Sequence, residues 1–249
     1  MSIECKSRFE IEKLRRAGRL VRELLYEIRD RVRPGVMTMD LERFTEKRLT
    51  ELGARSAFKG YRGYPCCLCT SVNDQIIHGI PSDRRLKEGD ILSLDLGVVL
   101  DGYYGDSAIT VPVGQISEPL QRLLNVTEEA LEMAIQKARA GNHLGDISAT
   151  VQQHAERNHY TVVREFVGHG IGRELHEEPQ VPNYGTPGHG PVLKEGMVLA
   201  IEPMVNSGGA AVRVLDDRWT AVTEDGGYSA HFEHMVAVTR NGPDVLTRL

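Results

Sequence analysis

The sequence predicts an α+β fold of two similar halves, with helices packed on a central antiparallel sheet. Three observations carry this. First, the order helix, helix, strands runs twice along the 249 residues. Second, the junction between the paired helices recurs: Arg33-x-Gly35-x-x-x-x-Asp40-Leu41 is matched by Arg139-x-Gly141-x-x-x-x-Asp146-Ile147. Third, Asp101-Gly102 lies between two apolar runs, the strongest short-range signal of a two-residue hairpin turn of type I′. The expected organisation is one domain over 1–249, with halves at about 8–113 and 114–249.

The elements follow in order. Residues 8–32 carry Ile11, Leu14, Val21, Leu25, Ile28 and Val32 on one helical stripe, and Arg33-Pro34-Gly35 stops it. Thr38 opens a second helix to about Leu52, with Leu41, Phe44 and Leu52 inward and Gly53 as its stop. A strand is expected near 64–71, then the hairpin around Asp101-Gly102. Ser117-Glu118-Pro119 begins the second half with a helix to about Arg139, turning Leu120, Leu124, Leu131 and Ile135 inward. Asp146 opens a shorter helix. Strands are expected near 161–167, 197–202, 219–223 and 228–239.

Composition narrows the class. Apolar content of 41%, charged content of 26% and a net charge of −5 describe an ordinary globular chain. No long basic block points to nucleic acid, and the arginines of the first helix alternate with glutamates as on a solvated face. No apolar run is long enough to cross a membrane, and the start lacks a signal-peptide pattern, so cytoplasm is the expected compartment. Cys66, Cys67 and Cys69 have no second cluster to complete a zinc site, and buried strand cysteines are expected.

The hairpin carries the chemistry. With Asp101-Gly102 as the turn, paired residues have numbers summing to about 203. Asp106 then faces Gly97 and Asp95 faces Ala108, so the two aspartates are diagonal neighbours on one side. Leu92, Leu94, Leu96 and Val98 fill the other side. Two inward carboxylates call for a proton, an Arg or a metal between them. A solvated hairpin face is the competing reading. The second half adds Glu202 at the end of an apolar run, Glu233 inside a strand, and His169 within Gly168-His169-Gly170-Ile171-Gly172. Four carboxylates and one imidazole suit a two-metal site.

The chain resembles the type 1 methionine aminopeptidases, the short bacterial form of the pita-bread, M24-like metallopeptidases. The motifs are His78-Gly79-Ile80-Pro81, Asp95 with Asp106, Gly168-His169-Gly170-Ile171-Gly172, His176-Glu177-Glu178-Pro179, Ile201-Glu202-Pro203-Met204 and Phe232-Glu233-His234, in family order. The resemblance implies that Asp95, Asp106, His169, Glu202 and Glu233 hold two divalent ions (Fe, Mn, Co or Zn), with Asp106 and Glu233 bridging. It implies Glu202 as proton shuttle, His176 as donor to the carbonyl oxygen and His78 near the substrate amine. Substrates would be nascent-chain N-termini with a small second residue, acted on by a monomer in transient proximity to ribosomes.

The same resemblance assigns Tyr61, Tyr64, Cys69 and Trp219 to the methionine pocket, and there the chain departs from the pattern. Leu175 stands where the family commonly has phenylalanine, and Phe58 where it commonly has a small residue. The expectation is that one aromatic lost and one gained compensate in volume. Two alternatives share the fold: an Xaa-Pro aminopeptidase or prolidase, which carries a large extra N-terminal domain, and a non-catalytic binding protein, which would lose metal ligands.

Overall fold

The structure, a computed structural model, describes residues 3–249. Helix α1, Arg8–Arg29, starts with a reciprocal cap: the Ser7 hydroxyl accepts from the Glu10 N–H, and the Glu10 carboxylate accepts from the Ser7 N–H at 3.0 Å. Its inner stripe, including Leu14, Ala17, Val21, Leu24, Leu25 and Ile28, is fully buried against the long hairpin. Helix α2 spans Thr38–Glu51, α3 Glu118–Ile135 and α4 Leu144–Arg157. Leu52, expected inward, is exposed because it follows the last turn.

The repeated junctions fold alike. Asp40 and Asp146 each lie in a first turn and accept from a backbone N–H three residues back, Met37 at 3.3 Å and His143 at 2.8 Å. Helix α4 therefore begins two residues before Asp146. Gly35 and Gly141 sit at φ 89° and 92°, where a side chain would be strained. Their N–H groups donate to Leu86 and Leu193. Lys87-Glu88-Gly89 and Lys194-Glu195-Gly196 then make equivalent turns, leading into the strands Ile91–Leu100 and Val198–Ile201. Six residues past those glycines stand Asp95 and Glu202.

In the first half the hairpin strands Ile91–Leu100 and Tyr103–Pro112 pair as expected, with Gly97 opposite Asp106 and Asp95 opposite Ala108. Asp101 and Gly102 both have positive φ, the type I′ signature. In the second half the pairing is broken at one point. Strand Val198–Ile201 pairs with His234–Thr239, and Met204–Asn206 pairs with Ser229–His231. The partners His234 with Ile201 and His231 with Met204 share one sum, which sets Glu202 opposite Glu233 at the break. Pro203 has no N–H for the ladder there. The strand expected at 228–239 is thus two strands with Glu233 between them.

Pairing among the described residues is antiparallel throughout and forms four hydrogen-bonded sheets. The two largest are joined where the Glu233 N–H donates to the Ala108 carbonyl at 2.9 Å. No helix is long and apolar enough to cross a membrane among the described residues.

Candidate metal centre

A cleft of about 280 Å³ opens at this junction. Its lining includes every candidate site residue read from the sequence: the proposed ligands Asp95, Asp106, His169, Glu202 and Glu233, the histidines His78 and His176, and Phe58, Tyr61, Tyr64, Cys69, Leu175 and Trp219. Asp95 and Glu202 are each 7% exposed and Glu233 2%, which removes the solvated-face reading of the hairpin. The face carrying Asp95 is covered by the second half, a contact that no local pattern announces.

Glycines bring the backbones close enough. A Cβ on Gly168 would meet the Ala200 carbonyl at 2.4 Å, so the strand bearing His169 can lie against Val198–Ile201. A Cβ on Gly97 would meet the Phe58 ring at 2.5 Å, so the missing side chain leaves room for that aromatic. The turn carrying Leu175 and His176 is organised by Glu177, whose carboxylate accepts from the Arg173 and Glu174 N–H groups and pairs with the buried Lys6 ammonium at 2.6 Å. His78 has φ 60°, a backbone conformation uncommon outside glycine and often held at functional sites. Its ring meets Phe166 and Trp219 edge to face. Tyr64 packs edge to face on the same Trp219, and its hydroxyl proton is shared between the Leu68 and Gly79 carbonyls, each at 3.1 Å.

The electrostatics call for a cation. Burial pushes Asp95 up to about 7 and Glu202 up to about 8. Burial, aided by the neighbouring carboxylates, raises Asp106 and Glu233 well above the usual range. Asp106 Oδ1 and Glu233 Oε1 have no hydrogen-bond partner. Ligand atoms of Asp106, His169 and Glu233 all lie within 4.8 Å of one another. His169 supplies the sharpest test. Its Nδ1 is 2.9 Å from the Gly170 carbonyl, which can only accept, so Nδ1 carries the proton. The bare lone pair of Nε2 then faces Asp106 at 3.8 Å and Glu202 at 3.6 Å. A lone pair turned toward carboxyl groups needs a proton or a metal ion between them, and burial of several such carboxyls around one imidazole favours the metal. The oxygen-rich set with one imidazole fits divalent transition ions.

The sequence reading missed several lining residues. Ile77, Arg62, Glu165, Phe166 and Val167 line the cleft, most of them from loops without a motif. His231 was missed too. It is 1% exposed, both ring nitrogens lack partners, and Nε2 stands 3.6 Å from Glu202 Oε2. Its place two residues before Glu233 was the available signal. The cysteine expectation holds in part: Cys66, Cys67 and Cys69 are buried and free, but only Cys69 lies in a strand. The Glu42 carboxylate accepts from the Cys67 and Leu68 N–H groups instead, anchoring the strand start.

Comparison with known proteins agrees with this geometry. The profile of "Metallopeptidase family M24" matches residues 12–240. The methionine aminopeptidase of Clostridium perfringens is 52% identical over 242 residues, 97% of both chains. Methionine aminopeptidase 1 of Bacillus subtilis is 49% identical over 99% of this chain and 100% of its own. Among solved structures, a methionine aminopeptidase from Thermotoga maritima superposes with a TM-score of 0.98 at 47% identity, covering all of both chains. A prolidase from Pyrococcus horikoshii superposes with a TM-score of 0.80 at 23% identity, this chain spanning 63% of it, a likeness of fold.

Proposed function

Because the chain belongs to metallopeptidase family M24 and matches methionine aminopeptidases along its whole length, we propose that the cleft removes the N-terminal methionine of nascent proteins with a small second residue, using two divalent ions. The chain is a metal-dependent aminopeptidase of the type 1, pita-bread kind. The observation that carries the metal assignment is the lone pair of His169 Nε2 aimed at Asp106 and Glu202. Asp95, Asp106, His169, Glu202 and Glu233 are the residues that would hold the ions. When bound, the ions supply Lewis acidity and an activated water.

The residues of the chain do the rest. Glu202, deeply buried, carries a proton toward the leaving amine. Burial and the nearby Arg62 hold His176 down to about 4, so the ring is neutral and donates one N–H to the scissile carbonyl as charge builds there. Burial holds His78 at about 4 as well, and this neutral ring positions the substrate amine without repelling it. Tyr61, Tyr64, Cys69, Trp219, Phe58 and Leu175 enclose the methionine side chain. The cytoplasm and a monomeric state fit a substrate emerging from ribosomes.

The deciding experiment is cleavage of Met-Ala-Ser, Met-Leu-Ser and Ala-Pro-Ser by metal-stripped protein with and without Fe(II), Mn(II), Co(II) or Zn(II). Metal-dependent methionine release from Met-Ala-Ser alone is expected. Cleavage of Ala-Pro-Ser would replace the assignment with a proline-directed peptidase, and inert protein under every ion would sink it.

Pocket shape gives a second expectation. Leu175 is buried in a cluster against which Phe58 packs, and Phe58 also touches the Tyr64–Cys69 wall. Phe58→Cys and Leu175→Phe should therefore couple. In a double-mutant cycle on kcat/KM, the double variant is expected to differ from the sum of the singles by about 0.5 kcal/mol or more. Additive effects would show that the two departures are independent.

A further inference from the structure

Two histidines stand side by side in the cleft, with ring centroids 4.3 Å apart, and the chemistry asks opposite things of them. His169 must show a bare Nε2, and the Gly170 carbonyl ensures that by taking the Nδ1 proton. His176 must show a protonated Nε2 if it is to donate to a carbonyl oxygen. A neutral imidazole has one N–H and one lone pair, so the partner of Nδ1 decides which nitrogen donates. That partner is the Tyr61 hydroxyl, 2.8 Å from His176 Nδ1, with the two rings stacked at 5.3 Å and 29°.

A phenol O–H is far more acidic than a neutral imidazole N–H, so the stronger bond runs from the hydroxyl to the bare nitrogen. Tyr61 is also held still. It opens the short 3₁₀ turn Tyr61–Gly63, closed on itself by hydrogen bonds from Tyr61 N–H to Phe58 O, Tyr64 N–H to Tyr61 O and Gly60 N–H to Tyr64 O. Across the cleft, the Glu177 and Lys6 contacts fix the turn that carries His176.

We propose that Tyr61 is a positioning residue for His176: its hydroxyl donates to Nδ1, fixes the ring as the Nε2–H tautomer and turns that N–H toward the scissile carbonyl. This rests on the peptidase reading of the same cleft. It gives Tyr61 a task beyond lining the methionine pocket, separable because Tyr61→Phe keeps the ring and removes only the hydroxyl. The bond also polarises the imidazole, which strengthens its other N–H as a donor.

The test has two readouts. Zinc-loaded protein with ¹⁵N-labelled histidine reports the His176 tautomer by NMR, with His176→Gln identifying the signal. Manganese-loaded protein reports kcat and KM for Met-Ala-Ser. Wild type is expected to show the Nε2–H tautomer, and Tyr61→Phe a mixture of tautomers. Loss of one hydrogen bond predicts kcat lower by about 3- to 10-fold, with KM changed by less than about twofold. An Nδ1–H tautomer in wild type, an unchanged tautomer in the variant, or an effect on KM alone would each overturn the proposal. Wild type that cleaves no peptide would instead overturn the peptidase reading, and the role of the N–H with it.

Discussion

Asp106→Asn is expected to cut peptide cleavage by about 10³-fold or more and yet to raise the melting temperature of the metal-free protein. The activity loss follows from the place of Asp106 among the clustered ligand atoms: Lewis-acid stabilisation supplies several kcal/mol, and each ~1.4 kcal/mol is tenfold in rate. The stability gain follows from the same crowding. Asp106 is buried with one oxygen unpartnered, and its carboxylate is repelled by Asp95 and Glu202. An amide of the same shape removes that repulsion. A gain of about 1–2 kcal/mol would shift the midpoint by about 2–8 °C in a chain of this size. Calorimetry at pH 8 with chelator, beside turnover with saturating Mn(II), checks both. Activity within tenfold of wild type, or a lower midpoint in the metal-free variant, would remove Asp106 from the metal centre. A site built to hold cations and strained without them has this signature.

The second large effect is on pH. Asp95 and Glu202 have folded-state values of about 7 and about 8, above their ordinary unfolded values. For such groups the native state binds more protons than the unfolded state, so stability falls as pH rises. The contribution is complete below about pH 4, where both states are protonated, and is lost as pH climbs through 7 to 8. Below about pH 6.5 the buried neutral histidines His78, His169, His176 and His234 contribute the opposite slope. Metal-stripped protein should therefore show a urea midpoint that declines from about pH 7 to 8.5. The limiting slope is about 1.4 kcal/mol per pH unit for each group fully involved. Metal should abolish the decline, because cations replace the protons and bind more tightly as the carboxyls ionise. A flat or rising midpoint in the stripped protein would mean that the carboxylates are already paired without metal.

Much of this was legible in the sequence, for physical reasons that differ by element. The hairpin register was readable because Asp101-Gly102 fixes a two-residue turn, and every later pair follows from it. Helices α1 to α3 announced themselves by their apolar stripes. Helix ends were less legible, since they depend on caps such as Ser7 with Glu10 in α1 and Asp146 reaching back to His143 in α4. The strand expected at 161–167 pairs only at Thr161–Val162, after which the chain lines the cleft. The break at Glu233 was hidden as well. Pro203 hinted at one interruption, but only docking of the halves sends the Glu233 N–H to Ala108. The resemblance named the candidate ligands without geometry. His231 belongs to no motif, and its empty ring nitrogens become visible only when the core is closed.

The contact between Ala108 and Glu233 has a consequence of its own. Counted through the two registers, Asp95 corresponds to Glu202 and Ala108 corresponds to Glu233, so the bond between those backbones joins equivalent points of the two halves. The two backbones approach within hydrogen-bonding distance at that contact, one position carrying a glutamate and the other an alanine. Two glutamates there would compete for one space, and the methyl of Ala108 gives that space up. The asymmetry follows: Asp106, displaced two residues along its strand, answers Glu233, while His169 has no acidic counterpart.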